Sequence, residues 1–144
     1  MPLVTRNHPK LTLEGARAVL AAAQRRAGEI RVPMNIAVVD DGGHLLAFER
    51  MDGAKPSSIA ISIVKAQSAA MRRAPTGPAM AGDQVNLALA LGLAAAAPGH
   101  QTPIRGGVPL VVDGQYIGAI GVSAGNEDQD SDVARHGAAA IDKV

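Results

Sequence analysis

The chain has 144 residues, 47% of them hydrophobic, which suits one domain of about 100 to 200 residues and argues against disorder. Its 14 basic and 13 acidic residues leave a formal net charge of +1, too little for a global field that would draw it to nucleic acid or an anionic membrane. It has no cysteine, which removes disulfides, thiolate nucleophiles and thiolate zinc sites. With only Phe48 and Tyr116 as aromatics, close packing through Ala and Gly must replace bulk in the core.

Met1 to Lys10 carries Arg6, His8 and two prolines in place of the apolar run of about 7 to 15 residues that marks a secretory signal, so cytoplasmic residence is expected. Leu11 to Glu29 predicts an amphipathic helix, capped by Thr12, with Leu13, Ala16, Leu20, Ala23 and Ala27 on its apolar side and Gly28 at its end. Met34 to Asp40 and His44 to Met51 read as a hairpin around Asp41-Gly42-Gly43. Ser57 to Arg73 predicts a second helix, stopped by Pro75. Its apolar face is Ile59, Ile63, Ala66 and Ala70, and its polar stripe is Ser58, Ser62, Lys65 and Arg72.

After the Pro75–Pro78 loop, Asp83 can cap a third helix running to about Ala96. Its apolar stretch, Leu87 to Ala97, is about half the roughly 20 residues needed to cross a bilayer and reads as a buried helix. Val108 to Val112 and Gln115 to Ser123 form a second antiparallel hairpin across Asp113-Gly114. Alternation puts Ile117 and Ala119 on one side of the last strand and Ile120 and Val122 on the other, so both faces need cover. Asn126 can cap a final helix whose first turns carry Glu127, Asp128 and Asp130, with Val133, Gly137, Ala140 and Ile141 as its buried stripe. The order is α-ββ-α-α-ββ-α, an α/β fold with one antiparallel sheet of about four or five strands and helices on its faces. Four short helices cover so much sheet poorly, so a homo-oligomer is expected.

Five segments, LTLEGARAVLAAA at 11–23, MNIAVVDDGGHLLAFERMDGA at 34–54, IVKAQSAA at 63–70, GGVPLVVDGQYIGAIGVSAG at 106–125 and EDQDSDVARHGAAAI at 127–141, resemble the GlcG/HbpS family, related to the C-terminal domain of PduO-type proteins. The resemblance implies a profilin-like α/β/α domain that assembles into higher oligomers. It also implies one of several roles: binding haem, standing beside corrinoid enzymes, or acting on small carboxylic acids. Lys65, Gly106, Gly107, Pro109, Gly121, Gly125 and Asp130 fall on its framework. The chain reads SAG at 123–125 where the family often reads SGG.

Gly106-Gly107, with Gly118, Gly121 and Gly125, can floor a pocket that presents backbone N–H groups to an anion, or can mark bulges and close helix–sheet packing. Lys65 and Arg72, two turns apart, can hold a propionate or another carboxylate, joined by Arg50 and Arg105, or can form a solvated face. His100 lies in the Pro98–Pro103 loop just before Arg105 and the glycine pair, where it can serve as a haem axial ligand or as an acid–base group; His44, beside the first hairpin turn, is the other ligand candidate. Asp128, Asp132 and His136 share one helix face but spread over two turns, a poor convergent metal set. Two main readings follow: a haem- or small-anion-binding oligomeric module, or a cofactor-independent enzyme isomerising, hydrating or dehalogenating a small acid, with His100, Glu127 or Asp130 moving the proton. A non-catalytic accessory subunit is a third.

Overall fold

A computed structural model describes residues 1–143 and places four helices around a four-stranded antiparallel sheet. Helix α1 spans Leu13–Glu29, β1 Asn35–Asp40, β2 Leu45–Arg50 and α2 Ser58–Arg72. A two-stranded excursion follows, β3 Met80–Ala81 and β4 Gln84–Val85, then α3 Leu87–Ala96, β5 Gly107–Val112, β6 Gln115–Ser123 and α4 Glu127–Ala138, with a short 3₁₀ turn at Ile141–Lys143. Among the described residues, no helix is long and apolar enough to cross a membrane.

The sheet order is β2-β1-β6-β5, so the two hairpins meet through β1 and β6 at its centre. Turn chemistry sets each hairpin. Asp40 Oδ1 accepts the Gly42 and His44 amides at 2.9 Å each in the first. In the second, Asp113 and Gly114 both sit at positive φ, the pair that matches strand twist. Caps set the helices: Thr12 accepts the Gly15 amide, and Asn126 forms a capping box with Gln129.

One face of the sheet packs on α1 and α4 through Val19, Leu20, Ile36, Val38, Ile120, Val122 and Val133. Ile117 belongs to this layer too, against the expectation from simple alternation. A bulge at Leu110/Val111 sets two β6 residues, Ile117 and Gly118, in the register of one and turns Ile117 over.

The other face is covered by α2, which buries Ala66 and Ala70 of its expected apolar face but is rotated so that part of its expected polar stripe goes inside as well. Ser58, Ser62 and Lys65 of the expected polar stripe are buried, together with Ser68, Ala66, Ala69 and Ala70, while Ile61 points outward. The glycines of β5 and β6 supply the reason. A Cβ on Gly121 would overlap Ser62 O and the Ala66 amide, and one on Gly107 would overlap Lys65 O, so α2 rests its backbone directly on the strands. At that separation small residues fit best beneath the helix, so Ile59 and Ile63 sit half-buried at its edge and Ile61 faces outward.

The third helix also departs from expectation. Gly82-Asp83 forms the turn between β3 and β4, so Asp83 caps nothing; Asn86 caps instead, accepting the Leu89 amide at 3.0 Å. Within the chain α3 buries only Ala90, and Leu87, Leu89 and Leu91 face outward.

Candidate functional site

The close seating of α2 creates the site. With serine and alanine turned to the sheet, Ile61 and Val64 stand on its outer side, and the segment running from α3 into β5 lies alongside them. Ser68 fixes that segment: its hydroxyl receives the Thr102 amide at 3.3 Å and lies 3.2 Å from Gln101 Oε1. Ala60, Ile61, Val64, Gly99, Gln101, Thr102 and Ile104 thereby line an open, largely apolar groove of about 260 Å³. On the other side of Gln101 and Thr102, Arg72 helps line a small cavity with Gly77, Ala79, Ala90 and Leu93.

His100 lies between two of these lining residues, Gly99 and Gln101. Its Nδ1 lies 3.3 Å from Gln67 Oε1, one helical turn beyond Val64, and the ring is exposed. The first hairpin tip reaches the same stretch of α2, because Gly43 packs on Met71 and Gln67. His44, the next residue, is exposed there. The two histidines singled out from the sequence therefore border one end of α2, from different loops.

The charged candidates divide. Lys65 is 1% exposed and its Nζ donates to Asp130 Oδ2 and to Val122 O, both at 2.9 Å, while Asp130 Oδ1 accepts the Gly125 amide. Burial pushes the Asp130 carboxyl above its ordinary range, against the opposing pull of the Lys65 ammonium. This pair locks α2 to β6 and α4 inside the protein; it is not open to solvent. The seven-residue spacing puts Lys65 and Arg72 on one stripe, but Lys65 lies over the sheet whereas Arg72, in the last turn, is exposed.

Arg105 is engaged at the start of α4, with its amide on Glu127 Oε1 at 2.9 Å and Nη2 on Asp128 Oδ1 at 2.8 Å. Arg50 is exposed at the end of β2. His100, Glu127 and Asp130 thus have three separate sets of partners. In front of Gly106, φ +126°, a Cβ would meet Val122 O at 2.6 Å and Lys65 Nζ at 2.9 Å, so the open space at the glycine pair is filled by the chain itself. Asp132 bonds Arg26 at 2.7 Å and His136 bonds Asp132 O at 2.8 Å. No metal-binding group of three such side chains occurs among the described residues.

Ile61, Val64, Gln67, Gln101 and Ile104 were not singled out from the sequence. The signal available was the strand glycines opposite a Ser/Ala stripe, which predicts a helix pressed against the sheet with its branched residues displaced.

Residues 11–139 match the family model described as haem degrading protein HbpS-like. The protein GlcG of Escherichia coli K12 is 43% identical over 113 residues, covering 78% of this chain and 81% of that one. The Klebsiella pneumoniae protein ORFY has the same fold, with a TM-score of 0.86 and 31% identity over 100% of this chain and 98% of its own. A PduOC:haem complex gives a TM-score of 0.79 at 28% identity, covering 92% and 96%.

Proposed function

The chain belongs to the HbpS-like family, and from that premise we propose that it is a homo-oligomeric haem-binding module. The haem would lie in the groove between the outer face of α2 and the Gly99–Ile104 segment. The observation that carries this reading is His100, an exposed imidazole within hydrogen-bond distance of Gln67, set between Gly99 and Gln101, which both line the apolar groove. An imidazole beside an apolar wall is a donor set that haem iron takes, and Arg72, exposed on the far side of Gln101, would be a cation available to a propionate. The iron would supply ligand or redox chemistry when bound. The residues of this chain would orient it, with Ile61, Val64 and Ile104 offering an apolar wall. The haem complex of the related PduO domain supports the assignment of ligand class.

The acid-transforming enzyme has less behind it. Asp130 is buried under Lys65, and Glu127 lies against the Arg105 amide, so neither shares an open site with His100. The deciding experiment compares His100→Ala and His44→Ala in haemin titrations followed at the Soret band. Loss of about tenfold or more in affinity for His100→Ala alone supports the reading. Unchanged affinity and spectrum in that variant would remove His100 as the ligand, and loss confined to His44→Ala would transfer the role.

A further inference from the structure

Gln67 and Ser68, adjacent in the second half of α2, both face the segment that follows α3. The main chain of that segment turns at Gly99, φ +78°, and the His100 amide donates to Ala97 O at 3.0 Å. Ser68 takes the two residues beyond: its hydroxyl lies 3.2 Å from Gln101 Oε1 and accepts the Thr102 amide at 3.3 Å. Gln67 takes the His100 ring itself, with Oε1 3.3 Å from Nδ1. Gln67 is confined in turn by the first hairpin tip, where a Cβ on Gly43 would lie 3.8 Å from its Cγ. Among the described residues the polar contact of the His100 ring is this neutral amide, whereas His8 and His136 each stand 3.5 Å from a carboxylate, of Asp41 and Asp132.

We propose that Gln67 is a positioning residue that selects the tautomer of His100: its Oε1 accepts the Nδ1 hydrogen and leaves the ring lone pair on Nε2. A carbonyl oxygen only accepts, so a neutral imidazole bonded to it carries its hydrogen on Nδ1. The two ring nitrogens are not equivalent toward a metal. Nδ1 adjoins the bulk of its own backbone, whereas Nε2 stands at the far edge of the ring, and the bond that fixes one nitrogen presents the other. The charge of the partner carries the second half of the inference, which rests on the haem reading above. A carboxylate at this position would draw the Nδ1 hydrogen toward itself and make the ring a stronger donor, favouring ferric iron. An amide leaves the ring neutral, so iron bound to His100 is more readily reduced than behind a carboxylate-backed imidazole. Gln67 thereby sets both the atom that His100 offers and the potential of what it holds.

The first test uses the full, haem-free chain and reads the ring nitrogens of the neutral imidazoles by nitrogen-15 NMR. The wild type should show His100 protonated at Nδ1. Gln67→Leu, with far-UV circular dichroism unchanged, should pass to the Nε2-protonated form that predominates in a histidine without a partner. Gln67→Glu, which keeps the acceptor, should retain the Nδ1 form, and His136 on α4 should be the same in all three. A wild type protonated at Nε2, as a reversed amide would give, or a Gln67→Leu that keeps the Nδ1 form, would overturn the tautomer assignment. The second test uses the haemin-loaded proteins. The reduction potential should fall in Gln67→Glu, and haemin affinity should weaken about tenfold in Gln67→Leu, the usual scale for losing the residue behind a metal-ligating histidine. An unchanged or higher potential in Gln67→Glu, or full affinity in Gln67→Leu, would overturn the tuning role. A wild type that takes no haem would sink the haem reading, and the tuning role with it, while the tautomer assignment stands or falls on the first test.

Discussion

Replacing Lys65 with methionine keeps the length of an unbranched side chain but deletes the ammonium. The Asp130 carboxylate, 4% exposed, is then left with the Gly125 amide as its hydrogen-bond donor, and Val122 O loses its Nζ donor. Removing one partner of a buried ion pair costs about 3–5 kcal/mol, because the remaining charge stays desolvated and uncompensated. For a domain of this size each kcal/mol moves Tm by roughly 3 °C, so Lys65→Met should melt about 10–15 °C lower. Removing both charges, as Lys65→Met/Asp130→Leu, leaves nothing to compensate and should recover most of that loss. Thermal and urea denaturation of the two single variants, the double variant and the wild type closes the cycle. If Lys65→Met costs less than about 1 kcal/mol, as an exposed pair would, or if the double variant is no more stable than Lys65→Met, the buried lock is not what the geometry describes.

Gly121→Ala places a methyl group against the α2 backbone at Ser62 and Ala66 and should destabilise by about 3 kcal/mol; a melt near wild type would mean that α2 can lift off the sheet freely. Ala124 sits at φ +129°, a region that favours glycine, so Ala124→Gly should raise Tm by a few degrees through about 1 kcal/mol of relieved backbone strain, and a lower Tm contradicts this. The hydrogen bond from Arg26 holds the Asp132 carboxyl below its ordinary 3.8. The folded value being the lower one, this pair's modest stabilisation is present above about pH 3.8 and is lost as pH falls through the depressed value. In an NMR titration Arg26→Met should return Asp132 toward 3.8, and no movement would discount the bond.

Much of the architecture is legible because local chemistry dictates it. Asp113-Gly114 and Asp41-Gly42-Gly43 specify hairpins, and Thr12 and Asn126 specify helix starts, wherever the chain goes afterwards. What escapes the sequence is set by contacts between distant segments. Lys65 and Asp130 are 65 residues apart, and nothing near either announces the other. The burial of Ser58, Ser62 and Lys65 on α2 follows from glycines on β5 and β6, a constraint that hydrophobic periodicity along α2 cannot contain. Helix α3 misleads because its wholly apolar composition suggests burial, whereas in this chain only Ala90 of it is buried. For the proposed site, His100 stood out as a loop residue before the glycine pair, whereas the groove beside it depended on how α2 seats on the sheet, and the glycines are packing contacts.

The central claim is tested most directly by titrating the wild-type, full-length chain with haemin and following the Soret band to equilibrium. The account predicts a saturable shift with one haem per protomer and the spectrum of a histidine-ligated iron. A weak, featureless and non-saturating absorbance, indistinguishable from haemin adsorbed to an unrelated protein, would contradict it.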